Sequence, residues 1–154
     1  MRETLEGFWI CSFDALTAGE LYEILRARAD VFVGEEKILY PDPDGMDYDS
    51  VHVFCADPEG RVMAYLRMFP KKDEPGVIQM GRVLTREHGQ GLGRKLLDAA
   101  ASAAARYLDA KEIYVESQKQ AAGFYQKSGF HVTSGEFMEA GIPHIQMRYR
   151  KDRS

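Results

Sequence analysis

The sequence predicts an α/β fold, a mixed and largely antiparallel sheet of about six to seven strands flanked by helices. Three observations carry that expectation. Apolar and aromatic runs of strand length alternate with helical stretches in the order β-α-β-β-β-α-β-α-β-β. A turn signal joins the second and third strands as a hairpin. The 154 residues contain no repeat, low-complexity tract or linker, so one domain covering 1–154 is expected.

The first strand is read at 8–14, where Phe8, Trp9, Ile10 and Phe13 are strong β-formers. Thr17 followed by Glu20 is a capping-box pattern, and Leu21, Ile24, Leu25, Arg28 and Phe32 recur at helical spacing, which predicts a helix over 17–33. Gly34, Pro41, Pro43 and Gly45 break the pattern and mark 34–50 as a long loop. Val51-His52-Val53-Phe54-Cys55 and the run from Val62 to Phe69 form the hairpin around Asp57-Pro58-Glu59-Gly60. A fourth strand spans Val77 to Leu84, and a Leu- and Ala-rich helix follows from Gly91 to Ala110. The remaining elements are a short strand at Ile113-Tyr114-Val115, a short helix from Gln120 to Lys127, and two strands near 130–138 and 143–149.

Composition narrows the function classes. With 45% hydrophobic and 11% aromatic residues the chain has the material for a core, which argues against disorder. No apolar run approaches the roughly 20 residues of a membrane span. The net charge of −4 disfavours non-specific nucleic-acid binding, which wants a basic face. Met1-Arg2-Glu3-Thr4 leads into Leu5, Glu6 and Gly7 rather than an apolar signal core, so a cytoplasmic protein is expected. Cys11 and Cys55 sit in strand-like apolar runs and read as buried free thiols.

The richest chemical signal is His88-Gly89-Gln90-Gly91-Leu92-Gly93-Arg94-Lys95, between a strand and a helix. Glycines let backbone amides crowd one point, and a helix N-terminus adds its positive dipole end, which together make an anion site. A P-loop would need Lys-Ser/Thr after the last glycine, and a dinucleotide fingerprint would need G-x-G-x-x-G, so neither applies. The segment resembles the R/Q-x-x-G-x-G/A motif of the general-control-related N-acetyltransferase (GNAT) superfamily. Roughly thirty residues on, Ala121-Ala122-Gly123-Phe124-Tyr125-Gln126-Lys127-Ser128-Gly129-Phe130 is similar to that family's A-x-x-F-Y-x-x-x-G-F segment. Val31-Phe32-Val33-Gly34-Glu35-Glu36 with Tyr40 and Asp44, Gly81-Arg82-Val83, and Gly141-Ile142-Pro143-His144-Ile145 resemble the small ElaA-type branch. His88 departs from the family pattern, standing where Arg or Gln is usual, and the turn before the glycines is short.

The resemblance implies a GNAT fold, acetyl-CoA as cosubstrate, an amine acceptor, direct transfer in a ternary complex and a homodimer. Cofactor contacts would come from backbone amides of Gly89, Gln90, Gly91, Leu92 and Gly93, from His88, Arg94 and Lys95 near the phosphates, and from Gln118 on the cofactor arm. A backbone N–H at Val83 or Leu84 would polarise the carbonyl. Tyr125 stands at the family's thiolate-protonating tyrosine, and a phenol near pKa 10 keeps its proton at pH 7. The base is less defined, because the fourth strand carries Gln79 and no Glu. Glu35, Asp44, His52 and His144 are its candidates, with Glu35 and His144 as catalytic picks and Glu35, Asp44, His52 and Arg82 around the acceptor.

Six carboxylates (Glu35, Glu36, Asp42, Asp44, Asp47, Asp49) crowd the loop, a negative rim that would attract a cationic amine. A Ca²⁺ loop is an alternative, although the full D-x-D-x-D-G spacing and the closing Glu are missing, and no metal is expected. Arg28, Arg67 and Arg82 lie on otherwise apolar elements, where a charge is costly unless paired, so each is expected to meet a carboxylate of this loop. A CoA-binding sensor without catalysis is the other alternative.

Overall fold

The structure, a computed structural model, describes residues 1–38 and 41–150, so Tyr40 lies outside the described residues. The strands are β1 (Arg2–Leu5), β2 (Phe8–Ser12), β3 (Val51–Ala56), β4 (Val62–Pro70), β5 (Val77–Thr85), β6 (Glu112–Gln118), β7 (His131–Val132), β8 (Phe137–Glu139) and β9 (Ile142–Tyr149). The helices are α1 (Ala18–Arg28), α2 (Leu92–Tyr107) and α3 (Ala122–Gln126). The sheet runs β1-β2-β3-β4-β5-β6-β9-β7, with β8 on β9, and β5–β6 is its parallel contact. This is the mixed α/β sheet expected, with nine strands among the described residues rather than six to seven. One extra strand is β1, a largely exposed edge of Arg, Glu and Thr with no apolar alternation to announce it. The other arises because the stretch near 130–138 divides into β7 and β8.

Thr17 caps α1 as its pattern requires. Its hydroxyl accepts from the Glu20 N–H at 3.0 Å, and the Glu20 carboxylate accepts from the Thr17 N–H at 2.9 Å. The α-helix then stops at Arg28, short of the expected 33, and the backbone continues as a π-helical turn over Ala29–Glu35. Within it the Glu36 N–H bonds the Val31 carbonyl at 2.9 Å, a spacing of five residues.

Strand alternation sorts the core onto two faces of the sheet. Val53, Leu66, Met68, Ile78, Met80 and Val115 pack against Leu96, Ala100 and Ala103 of α2. Phe54, Tyr65 and Leu84 pack on the other face against Ile24 and Ala27 of α1 and against Val31 and Phe32. Among the described residues no helix is long and apolar enough to cross a membrane.

One irregularity positions the site. Parallel pairing of β5 with β6 runs from Val77↔Glu112 to Met80↔Val115 and ends there. Beyond it, β5 takes a bulge against β4, between the pairs Arg67↔Gly81 and Tyr65↔Leu84, with Arg82 held at φ +51°. Meanwhile β6 continues to Gln118, paired with β9 through Ser117↔Ile145 and Gln118↔His144. The two strands therefore part, and a gap opens through the sheet.

Candidate active site

That gap is a cleft of about 780 Å³. Val83, Leu84, His88, Gln118, Tyr125, His144, Asp44 and Arg82 line it, so eight of the residues singled out from the sequence meet there. Glu35 and His52 do not line it. Glu35 is exposed beside it, and its neighbour Glu36 faces the cleft instead. A continuous α-helix from Arg28 would turn residue 35 inward, and the π-helical turn advances that phase to 36.

Beside the α2 face of the gap lies an uncapped helix N-terminus, although Gly89, Gln90, Gly91, Leu92, Gly93, Arg94 and Lys95 do not themselves line the cleft. Gly89 and Gly91 take φ values of +81° and +73°, which L side chains rarely adopt. Gly91 precedes α2, no side chain caps that end, and no acidic residue sits in its first turn. The first-turn amides therefore point outward without helical partners, beside exposed Arg94 and Lys95 and next to His88 at the cleft. Gly93 serves packing instead, because a Cβ there would stand 2.7 Å from Phe124 Cε1.

Phe124 in turn meets Tyr125 edge-to-face at 5.0 Å, and Tyr125 packs on Phe130 at 5.5 Å. Tyr125 is buried in the α2-side core and also borders the cleft. Burial, and then the nearby Glu36 carboxylate, push its phenol above the ordinary value, so it holds its proton at neutral pH. Glu36 itself accepts from Gln118 Nε2 at 3.0 Å, and Gln118 Oε1 accepts from Gln120 Nε2 at 3.1 Å.

The α1 face carries the charges. Arg28, fully buried, donates to Asp42 at 2.8 Å and Asp47 at 2.7 Å. Arg67 forks onto both oxygens of Asp44 at 2.8 and 2.6 Å and reaches Asp47 at 3.0 Å. Arg82 pairs with Asp42 at 2.9 Å and approaches Asp44 at 3.5 Å. The three arginines thus meet loop carboxylates as expected. The expectation of a negative loop rim needs correcting for three of its six carboxylates, because Asp42, Asp44 and Asp47 are neutralised by guanidinium groups, while Glu35, Glu36 and Asp49 are exposed. The same engagement deprives a Ca²⁺ reading of its central ligands.

His52 belongs to this architecture. Its Nε2–H donates to the Asp47 carbonyl at 3.0 Å, and its Nδ1 accepts from the Tyr65 hydroxyl at 2.7 Å. The bond accepted at Nδ1 needs the neutral ring, and burial lowers its pKa accordingly. His144 is placed differently, across from Gln118 on β9 and lining the cleft. Its Nδ1–H donates to the Ile142 carbonyl at 2.7 Å, which leaves Nε2 toward Glu139 Oε2 at 3.7 Å.

Two further cleft carboxylates, Glu116 and Glu139, were not singled out from the sequence. Strand alternation could have found Glu116, two residues before Gln118 on β6. Glu139 could not be found without knowing that β8 folds onto β9. Tyr114 donates to Glu116 Oε2 at 2.7 Å. Burial, and next the neighbouring charge of Glu116, hold the Glu139 carboxyl above the ordinary range against the pull of His144.

Residues 44–151 match the family model described as an acetyltransferase (GNAT) domain. A UPF0039 protein of Schizosaccharomyces pombe is 34% identical over 139 residues, covering 88% of this chain and 91% of that protein. The crystal structure of an acyl-CoA N-acyltransferase from Pseudomonas aeruginosa superposes with a TM-score of 0.82 at 34% identity, over 92% of this chain and 98% of that one. The structure of Escherichia coli ElaA gives the same TM-score of 0.82 at 28% identity, over 97% and 100% of the two chains.

Proposed function

Because this chain belongs to the GNAT acetyltransferase family, we propose that it transfers an acetyl group from acetyl-CoA to a primary amine, by direct attack in a ternary complex, as a single-domain cytoplasmic enzyme. The observation that carries this reading is the gap between β5 and β6, which joins an anion-receptive α2 N-terminus on one face of the sheet to a carboxylate-lined surface on the other.

The residues suit an acyl-CoA. The uncapped amides around Gly91, with Arg94, Lys95 and His88, would receive its phosphates. Gln118, and the backbone at Val83 and Leu84 past the bulge, flank the route of its arm. When bound, acetyl-CoA supplies the thioester carbon that the amine attacks. Tyr125 keeps its proton until the carbon–sulfur bond breaks and then donates it to the sulfur. The bulge frees backbone N–H groups near Val83, which can polarise the carbonyl. A Lys-like ammonium is only about 0.04% neutral at pH 7, so a group on the acceptor side must take its proton.

Cys11 is buried on the α1 side and Cys55 is half-buried; neither lines the cleft, which favours direct transfer over a cysteine acyl-enzyme. Calorimetry with acetyl-CoA tests the first half of the proposal, and an amine-panel screen following CoA release tests the second. Saturable acetyl-CoA binding with amine-stimulated CoA release is the expected result. Absence of binding at millimolar concentration would overturn the proposal, whereas binding without release by any amine would favour a CoA-sensing module.

A further inference from the structure

On the acetyltransferase reading of the cleft, we infer that Gly81 is a specificity-determining residue. Having no side chain, it opens the floor of the acceptor subsite and admits amines that are branched or ring-borne at the carbon next to the nitrogen. Gly81 sits inside β5, which lies between β4 and β6 in the sheet. Glycine in a strand interior gives up side-chain packing and loses more backbone freedom on folding than other residues. A positive φ, a crowding neighbour or a bulge would justify it, and none of these applies. The positive φ of this stretch, +51°, falls on Arg82, while Gly81 stays outside the left-handed region. A Cβ on Gly81 would meet no heavy atom of the described residues within 4 Å beyond its chain neighbours, in contrast to the 2.7 Å clash at Gly93. The bulge begins only after Gly81, which still pairs with Arg67 of β4. A glycine without a conformational or steric reason, on the wall of a cleft, marks close approach of a ligand to the backbone.

Alternation fixes where the open space points. Ile78 and Met80 belong to the core under α2, so Gln79 and Gly81 face the α1 side of the sheet. By the same rule Leu66 and Met68 of β4 face α2, and Arg67 and Phe69 face the α1 side. On β6, Ile113 and Val115 face α2, which turns Tyr114 and Glu116 to the α1 side. Two rows therefore cross this face. In one, Phe69, Gln79 and Tyr114 stand side by side with large side chains. In the next, Arg67 and Glu116 flank Gly81, and the middle of the row is bare backbone. Glu116 lies one step past the last parallel pair, Met80↔Val115, where the strands begin to part. The notch over Gly81 thus lies along β5 between the row of Gln79 and the backbone at Val83 and Leu84.

In the proposed reaction the amine nitrogen attacks a carbonyl held near Val83 and Leu84, so the carbons that follow the nitrogen lie over Gly81. Their support there is peptide backbone, a side chain lower than the rows around it. A branch on the carbon next to the nitrogen, or the edge of a ring, fits that notch, and the row of Gln79 closes its far end. A Cβ on residue 81 would occupy the same space, and an isopropyl group more of it. One methylene more or less in a shaped pocket changes kcat/KM by roughly 10–200-fold. The flanking side chains have partners of their own, since Arg67 donates to Asp44 and Asp47, and Glu116 accepts from Tyr114. Residue 81 therefore acts on the shape of the subsite rather than on its charge.

Gly81→Ala and Gly81→Val test the inference in three measurements. In urea unfolding, Gly81→Ala should have a midpoint at or above that of wild type, because its Cβ meets nothing and the unfolded chain loses the freedom of glycine. A marked fall in that midpoint would make the glycine structural and overturn the inference. Calorimetric affinity for acetyl-CoA should be the same in both variants as in wild type; a loss there would place Gly81 against the cofactor and overturn it too. In an amine panel, kcat/KM for branched and ring-borne primary amines should fall about 10-fold or more in Gly81→Ala and further in Gly81→Val, mainly through KM. Straight-chain amines should change by less than about threefold. Equal losses for both kinds of amine, no loss, or a wild type that accepts straight-chain amines alone would each overturn the inference while leaving the acetyltransferase reading in place. Wild-type protein that binds no acetyl-CoA, or turns over no amine, would overturn that reading and the role of Gly81 with it.

Discussion

Asp44→Asn is the perturbation whose cost the structure specifies most closely. Burial pushes the Asp44 carboxyl up, yet two bonds from Arg67, one from the Met46 N–H and the charges of Arg67 and Arg82 outweigh it and hold it at about 2 against an ordinary 3.8. At 1.36 kcal/mol for each tenfold change in proton affinity, that difference is about 2.4 kcal/mol. The Asp44 side chain is 33% exposed, so solvent screening reduces the figure to about 1–2 kcal/mol. The folded pKa is the lower one. The contribution is therefore complete above the unfolded value of 3.8 and is lost as pH falls toward 2, with about half gone near pH 3. Urea unfolding of wild type and Asp44→Asn should show a gap of about 1–2 kcal/mol at pH 7 that narrows only below about pH 4. Ionisations shared by both proteins cancel in the difference. A gap that stays constant down to pH 3, or no gap at pH 7, would refute the claim that the Arg67–Asp44 fork stabilises the loop electrostatically.

Three other outcomes follow from particular contacts. Tyr125→Phe should lose at least about 10²-fold in turnover while calorimetric affinity for acetyl-CoA is unchanged, since it removes the proposed proton donor and leaves the ring. Gly93→Ala should cost about 1–3 kcal/mol in urea unfolding, because its Cβ would stand 2.7 Å from Phe124 Cε1, and adding Phe124→Leu should recover part of the loss. His52 is held neutral by burial, so its folded pKa lies below the unfolded value and its contribution is lost as pH falls below about 6.5. Wild-type stability should drop through that window, and His52→Gln should be less stable at pH 8 but flatter below pH 6.5.

Local signals in the sequence translated directly into structure. Thr17 and Glu20 form both bonds of the capping box, and the turn at Asp57–Gly60 joins β3 to β4. The burial cost of Arg28, Arg67 and Arg82 demanded carboxylates, and the adjacent loop was the rich source. The signals that failed needed knowledge of backbone phase or of distant pairing. Nothing in Ala29–Glu35 announces a π-helical turn, yet that turn decides whether Glu35 or Glu36 faces the cleft. β1 carries polar residues on an exposed edge, so no hydrophobic period marks it. Glu139 enters the site only because β8 folds onto β9, a pairing no local pattern encodes. The three glycines looked alike in sequence, but only two have positive φ in the turn, and the third makes room for Phe124.

The pairing of the loop also changes where the molecule's field acts. Asp42, Asp44 and Asp47 against Arg28, Arg67 and Arg82 make a cluster of zero formal charge, which clamps the loop to β4 and β5 but exerts little net pull on an approaching cation. Glu36, Glu116 and Glu139 line the same cleft and, among the described residues, form no ion pair with Lys or Arg. At the walls of a cleft such charges focus potential more effectively than on a flat surface. In the proposed reaction the steering of a cationic amine would therefore fall to Glu36, Glu116 and Glu139, while Asp42, Asp44 and Asp47 of the acidic loop act as scaffold. Asp44→Asn and Glu116→Gln should divide accordingly, the first lowering stability and the second lowering turnover and its dependence on ionic strength.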